Sequence, residues 1–151
     1  MELIINSTAL LNDLISLNEE WISNFFELED ADYALAANPC QIIENGGYTF
    51  SLVVEGEVLG VCALFNEGGG VFELARMAVS PKHQGKGLGK KLILACFAKL
   101  SEIRANKVYL LSNTKLTSAI SLYKKYGFKT VSQGQHSRYF RANIVMECHV
   151  S

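Results

Sequence analysis

The chain is expected to fold as an α/β (α+β) domain of three layers: a mixed, mostly antiparallel sheet of about seven strands with helices on both faces. Three observations predict this. Apolar residues recur at helical spacing in some segments and at short strand spacing in others. The segments follow one another in the order β-α-α-β-β-β-α-β-α-β-β. Strands flanking a helix around residues 71 to 113 imply a right-handed parallel crossover within a sheet otherwise built from antiparallel pairs. The 151 residues include 49% hydrophobic side chains and two prolines, without internal repeat, low-complexity segment or linker, so residues 1–151 are expected to form a single domain around a core of their own.

Each element has its own signal. "ELIIN" reads as a short first strand. From Thr8 to Leu28, Leu11, Leu14, Ile15, Trp21, Ile22, Phe25 and Phe26 fall at helical spacing. A second short helix spans Asp30 to Ala37 and stops before Pro39, because the residue preceding proline disfavours the helical region. "YTFSLVV", a turn at Glu55-Gly56-Glu57 and "VLGVCALF" form a hairpin. "NEGGG" ends it, and "VFELARMAV", apolar on both faces, supplies a further strand stopped by Ser80-Pro81. Leu88 to Arg104 is a helix with Ile93, Phe97 and Leu100 on one face. "KVYLLSN" is a buried strand, and Lys115 to Tyr126 a helix closed by Gly127. "FKTV" and "NIVMECHV" complete the sheet.

Composition excludes several classes of function. Lys and Arg number 14 against 15 Asp and Glu, so the chain lacks the broad basic surface of a general nucleic-acid binder, and any attraction for anions must be local. Cys40, Cys62, Cys96 and Cys148 form no CxxC pair, and His83, His136 and His149 share no ligand spacing. The thiols read as small apolar residues of a reducing compartment, and no metal is expected. "MELIINSTAL" lacks the basic and apolar regions of a signal peptide, and no run is long enough to span a membrane. A cytoplasmic protein without a membrane partner is expected, with a homodimer left open.

The segment "SPKHQGKGLGKKL" concentrates glycine and lysine between a strand and a helix. A Walker loop fails, because Gly89-Lys90 is followed by Lys91 and Gln84 stands five positions before Gly89. A dinucleotide fingerprint fails as well, since Lys90 occupies the place of its third glycine. What remains is a helix start with free amides beside Lys86 and Lys90, suited to a pyrophosphate. Glycine matters there because a side chain would hold the phosphate off the backbone. A flexible loop with a solvated basic face explains the stretch alone equally well.

The surroundings favour the anion site. Gln84-Gly85-Lys86-Gly87-Leu88-Gly89 resembles the [Q/R]-x-x-G-x-[G/A] signature of the GCN5-related N-acetyltransferases, the GNAT superfamily. It follows a strand ending "RMAV-SP" and opens an amphipathic helix. "AISLYKKYGF", Ala119 to Phe128, resembles the close of the family's next motif. The resemblance is close over residues 48 to 128 and loose before Tyr48. It implies acetyl-CoA as co-substrate, with its pyrophosphate on the amides of Gly85 to Lys90, including Leu88 and Gly89. It also implies that Met77 and Val79, flanking Ala78, pair their backbones with the pantetheine arm. Asn113 would mark where two strands splay to admit the cofactor, though a strand-end or cap residue serves equally at that position.

Acetyl transfer to an amine needs a neutral amine, a donor for the developing oxyanion and a proton for the departing thiolate. Tyr123 stands where many members of the family carry the general acid, and tyrosine holds its proton at neutral pH. An aromatic packing role is the alternative. Members with this tyrosine often have asparagine seven positions earlier, where this chain has Leu116, so Ser118 or Asn113 is expected to supply that polar contact. Glu73 matches the strand position of the base glutamate in the histone-acetylating branch, which implies a base acting through a water or else a substrate-orienting carboxylate. The resemblance makes the Met77 amide the oxyanion donor. Strand alternation puts Glu73 and Met77 on one face and Arg76 on the other, where a structural pair is expected for it.

The acceptor is an amine that the sequence does not name. "ELEDADY", residues 27 to 33, is readable as an attractor of cationic amines or, more commonly, as a solvated face. Arg138 and Arg141 are readable as anchors for an acceptor carboxylate or as ordinary surface arginines. Two functions follow: an N-acetyltransferase for a small-molecule or peptide amine, or a non-catalytic acyl-CoA-binding domain with the same pocket. Retention of both Glu73 and Tyr123 favours the enzyme.

Overall fold

The computed structural model describes residues 1–150. Its strands are β1 (Glu2–Ile5), β2 (Tyr48–Val54), β3 (Glu57–Gly68), β4 (Val71–Val79), β5 (Lys107–Ser112), β6 (Lys129–Gln133) and β7 (Ile144–His149). They form one seven-stranded sheet in the order β1-β2-β3-β4-β5-β7-β6. The helices are α1 (Leu11–Phe25), α2 (Asp30–Ala37), α3 (Gln41–Glu44), α4 (Leu88–Glu102) and α5 (Thr117–Lys125). The expected layers, hairpins and crossover are all present.

Local chemistry explains the joints. Glu55 and Gly56 take φ values of +50° and +79°, so a two-residue turn of the primed kind joins β2 to β3 and matches strand twist. Gly69 and Gly70, also at positive φ, return the chain from β3 to β4. β4 and β5 run parallel across the α4 crossover.

Two apolar layers cover the sheet. On one face Leu88, Leu92, Ile93, Cys96 and Leu100 of α4 form a buried stripe against Phe50, Leu64, Phe72 and Leu74, with Phe97 at its flank. On the other, Leu14 of α1 packs on Val61 and Ala78, and Leu35 of α2 packs with Ile42 on Ala63. The Cys62 and Cys96 sulfurs lie 3.4 Å apart in the core, a pairing that sequence spacing did not reveal.

The structure corrects several boundaries. A 3-10 turn at Thr8–Leu10 precedes α1, which ends at Phe25 rather than Leu28. α3 follows Pro39 and was not expected. α5 starts at Thr117, because Asn113 and Thr114 first form a turn in which the Lys115 amide donates to the Asn113 side-chain oxygen at 3.0 Å.

Candidate active site

β4 carries the centre of the site, and its regular alternation breaks there. Ala75 stands opposite Ala63 and Ala78 opposite Val61, so Arg76 and Met77 together face Cys62 in a β-bulge. Arg76 adopts φ +60°, and the Asn18 side-chain amide donates to its carbonyl at 2.8 Å. The extra residue reverses the facing that alternation predicts. Arg76 lies on the α2 side with Glu73, where its Nη1 reaches Asp32 Oδ1 at 2.6 Å. Met77 lies on the α4 side, packed against the large core cluster. The structural pairing expected for Arg76 is present, but its face, and that of Met77 relative to Glu73, is the opposite of the expectation. A trans peptide holds C=O and N–H antiparallel. The carbonyl of Arg76 points to α1, so the amide of Met77 points away from it.

β4 and β5 part just before the bulge. Their ladder covers Val71, Phe72 and Glu73 against Lys107, Val108 and Tyr109, and then stops. The rest of the β5-facing edge of β4, through Met77, Ala78 and Val79, has no strand partner. The opening leads into a cleft of about 650 Å³ walled by α1, both strand ends, α5 and the glycine loop.

The loop supplies donors. Gly85 and Gly87 have φ +76° and +78°, and Gly87 is the N-cap of α4. The amides of residues 85 to 90 meet no acceptor among the described residues. Lys86 and Lys90 are exposed beside them, and the Gln84 amide donates to the Val79 carbonyl at 3.4 Å, tying the loop to the strand end. Leu88 is buried in the core and anchors the helix start. A Cβ on Gly89 would sit 3.5 Å from Leu122 Cδ2 and 4.0 Å from Met77 Sδ, ordinary contact distances at the cleft wall. Free amides and an open approach fit a pyrophosphate and its attached arm.

α5 brings Tyr123 to the same cleft. Gly127 at φ +98° closes this helix, and the Phe128 amide donates to the Tyr123 carbonyl at 3.1 Å. The Phe128 ring meets that of Tyr123 edge-on at 5.8 Å. "YGF" thus fixes the last turn and the tyrosine on it. The Tyr123 hydroxyl has no hydrogen-bond partner among the described residues, and burial pushes its pKa up to about 12. Ser118 is exposed on the first turn of α5 and lines the cleft. Asn113 lines it too, but its side chain donates to the Arg141 carbonyl at 2.9 Å and accepts from Lys115. It therefore serves the protein at both ends of its amide.

Glu73 is buried, and Arg138 Nη1 donates to its Oε1 at 2.7 Å. Burial raises the Glu73 pKa above the ordinary carboxylate value against the opposing charge of Arg138. The acidic run is only in part the solvated face expected of it: Glu27 and Asp30 are exposed, whereas Asp32 is buried. Asp32 accepts from the Glu29 amide, from Arg76 and twice from Arg141, at 2.6 to 2.8 Å. Burial disfavours its charge, but the Arg141 and Glu29 hydrogen bonds with the two guanidinium charges outweigh that and hold its pKa below the usual value. Glu29 Oε1 accepts from the Phe140 amide at 2.6 Å. Sequence reading missed this hub, because its members come from residues 29–32, 76 and 138–141. Neither Glu29 nor Asp32 is left to attract an amine.

Comparison with known proteins agrees with the geometry. A family model described as "Acetyltransferase (GNAT) domain" matches residues 45–130, more than half of the chain. This chain belongs to the GNAT family. The uncharacterized N-acetyltransferase YjgM of Escherichia coli K12 is 33% identical over 95 residues, 60% of this chain and 57% of that protein. The spermine/spermidine N(1)-acetyltransferase of Bacillus subtilis is 34% identical over 87 residues, 52% of this chain and 57% of its own length. The chain thus spans little more than half the length of these two relatives. Among solved structures, a GNAT-family acetyltransferase from Staphylococcus aureus Mu50 superposes with a TM-score of 0.86 at 18% identity, covering 99% of both chains. PaiA N-acetyltransferase from Thermoplasma acidophilum, solved with coenzyme A, gives a TM-score of 0.74 at 18% identity over 99% of both chains. These two likenesses establish the fold. No helix is long and apolar enough to cross a membrane, and no cluster of three or more metal-ligating side chains occurs among the described residues.

Proposed function

We propose that the chain is an acetyl-CoA-dependent N-acetyltransferase acting on a primary amine of a small molecule or peptide, by direct attack within a ternary complex. Residues 1–151 would work as one domain in the cytoplasm, where thiols such as these stay reduced. One observation carries the reading: the unpaired edge of β4 runs from Glu73 to the free amides of residues 85–90, with Tyr123 on the facing helix. Relatives named for N-acetylation of spermine/spermidine and for N-alpha-acetylation support an amine acceptor.

Bound acetyl-CoA supplies an acetyl group activated as a thioester. The loop amides and Lys86 and Lys90 hold the pyrophosphate, and the edge of Met77 to Val79 aligns the arm. Glu73 takes a proton from the acceptor ammonium, a task helped by its raised pKa. The Met77 amide, turned out of the ladder by the bulge, donates to the oxygen that gains negative charge as the nitrogen–carbon bond forms. As the carbon–sulfur bond breaks, Tyr123 gives its proton to the thiolate and recovers one from the nitrogen just acylated. One proton is released overall.

The Glu73–Arg138 pair is the observation that favours the second reading, a non-catalytic acyl-CoA-binding domain, since it occupies one oxygen of the base. Tyr123→Phe separates the two. It keeps the ring against Phe128, so folding and acetyl-CoA affinity are expected to hold while the single-turnover rate falls by about 10²- to 10⁴-fold. Single turnover is the fair measurement because product release can mask chemistry. An unchanged rate removes Tyr123 from the mechanism. Absence of amine-dependent CoA release from the wild type, across a wide amine panel, rejects the enzyme.

A further inference from the structure

The two arginines near the acceptor side of the site differ sharply in what they are free to do. Arg141 is committed: Asp32 grips its guanidinium with both oxygens, Glu29 adds a contact at 3.4 Å, and its side chain is 15% exposed. Arg138 is 41% exposed and makes a single side-chain hydrogen bond, Nη1 to Glu73 Oε1. The Tyr109 hydroxyl also lies beside its guanidinium, but a guanidinium carries five N–H donors, so these two neighbours leave others open. Glu73 is half-committed as well. Its Oε2 has no hydrogen-bond partner, yet it is not a sealed orphan, because no buried side-chain polar atom lacks a partner.

Their position gives these free groups a use. Glu73 lines the main cleft and also a second cavity of about 210 Å³, which Arg138, Glu67 and Tyr139 border on the α2 side of the sheet. Glu73 therefore stands where the two spaces meet, and Arg138 borders the second cavity beside it, so an open carboxylate oxygen adjoins open guanidinium donors. We propose that Glu73 and Arg138 together select a small zwitterionic acceptor of the amino-acid type, its ammonium on Glu73 Oε2 and its carboxylate on the unused donors of Arg138. Resting on the acetyltransferase reading, this names the substrate class of that site. Arg138 need not release Glu73 to act, since Nη1 donates to Oε1 while Nη2 and Nε are left to donate to the carboxylate in a forked pair. The second cavity suits a body of a few heavy atoms rather than a polypeptide. A linear polyamine fits poorly: it brings a second cation toward a guanidinium and leaves that guanidinium's donors unused.

The test uses the full chain saturated with CoA for binding and with acetyl-CoA for turnover. The probes are α-amino acids, the same amino acids as C-terminal amides, putrescine and spermidine. Calorimetry, with Trp21 in the cleft wall as a single tryptophan reporter, reads binding without chemistry. The free acids are expected to exceed their amides by roughly 10- to 100-fold in both affinity and kcat/KM, the range of a charge-assisted hydrogen-bonded pair. Arg138→Met should erase that preference and Arg138→Lys restore part of it, with the loss falling more heavily on the acids than on the amides in both. Acids bound in preference to amides but not acetylated would uphold the zwitterion as the ligand of this pair and sink the acetyltransferase reading. Acetylation of polyamines, or of amides as readily as acids, would overturn the acceptor class and leave the enzyme standing. Equal loss for acids and amides in Arg138→Met would also overturn it, making Arg138 a positioning residue for Glu73.

Discussion

Gly89 and Gly87 sit two residues apart in the same loop and are glycine for different reasons. Gly87 has φ +78°, where any other side chain is strained, so a substitution there changes folding and binding together. Gly89 is helical and its added Cβ would meet only ordinary contacts, so the protein itself tolerates a side chain there. Gly89→Val is therefore the clean test of the loop. Its melting temperature is expected within a few degrees of wild type while acetyl-CoA affinity falls at least tenfold by calorimetry; retained affinity would remove the loop from the cofactor site. Glu73 offers a second test, on stability. Its folded pKa is raised, so the folded state holds the proton more tightly than the unfolded chain, and ionisation costs stability as pH rises from the ordinary carboxylate value through the raised one. Glu73→Gln removes that cost. The variant should melt above wild type at pH 7, with the gap closing as pH falls below about 4. A gap independent of pH would mean that the carboxylate is not penalised in the fold.

At the scale of the element, the bulge in β4 decides what the strand can do. The spacing of Glu73, Arg76 and Met77 was legible, but alternation assigned their faces the wrong way round because an extra residue is invisible to a period of two. The bulge is held from α1, where the buried amide of Asn18 donates to the carbonyls of Leu14 and Arg76 at 2.9 and 2.8 Å. Asn18→Ala leaves the Arg76 carbonyl without its donor and frees the Met77 peptide to turn. It should cost about 1–3 kcal/mol in urea unfolding and slow single turnover, while Asn18→Asp, a worse partner for a carbonyl, should cost at least as much. A variant as stable and as fast as wild type would separate the bulge from α1. α5 shows the opposite case. Its closing "YGF" was read correctly from local signals, because a left-handed glycine followed by an apolar residue fixes a helix end without long-range help.

Over the whole molecule, the Asp32 hub joins α2, the β4 bulge and the segment between β6 and β7 that carries Arg138. Removing one partner of a buried pair strands the other charges, so Asp32→Ala should cost about 3–5 kcal/mol and loosen the acceptor side of the cleft. The lowered pKa of Asp32 sets the pH sense. Its contribution is present above the unfolded value and is lost as pH falls through the lower, folded one. Asp32→Asn should therefore be less stable than wild type at neutral pH and converge with it in acid. Urea midpoints taken from pH 7 down to pH 2 check this, and parallel curves would contradict the hub.

Local sequence pattern specified the layer order, the β2–β3 hairpin, the crossover and the glycine loop at the start of α4. Each is written in neighbouring residues, as periodicity, as a turn with φ above zero or as a helix start rich in free amides. It also placed Glu73 and Tyr123, through motif position, in what proved to be one cleft. Tertiary structure alone decided which face each residue of β4 takes, that Asn113 is occupied by Arg141, and that Glu29 and Asp32 of the acidic run pair with arginines while Glu27 and Asp30 stay exposed. It also decided that Arg141 is spent on Asp32 and Glu29, whereas Arg138 pairs with Glu73 through Nη1. The charge pairs of the site join residues 44 to 112 positions apart, and no local pattern records them. Side-chain partners are set by where the backbone brings groups together, and burial then decides which charges must be neutralised.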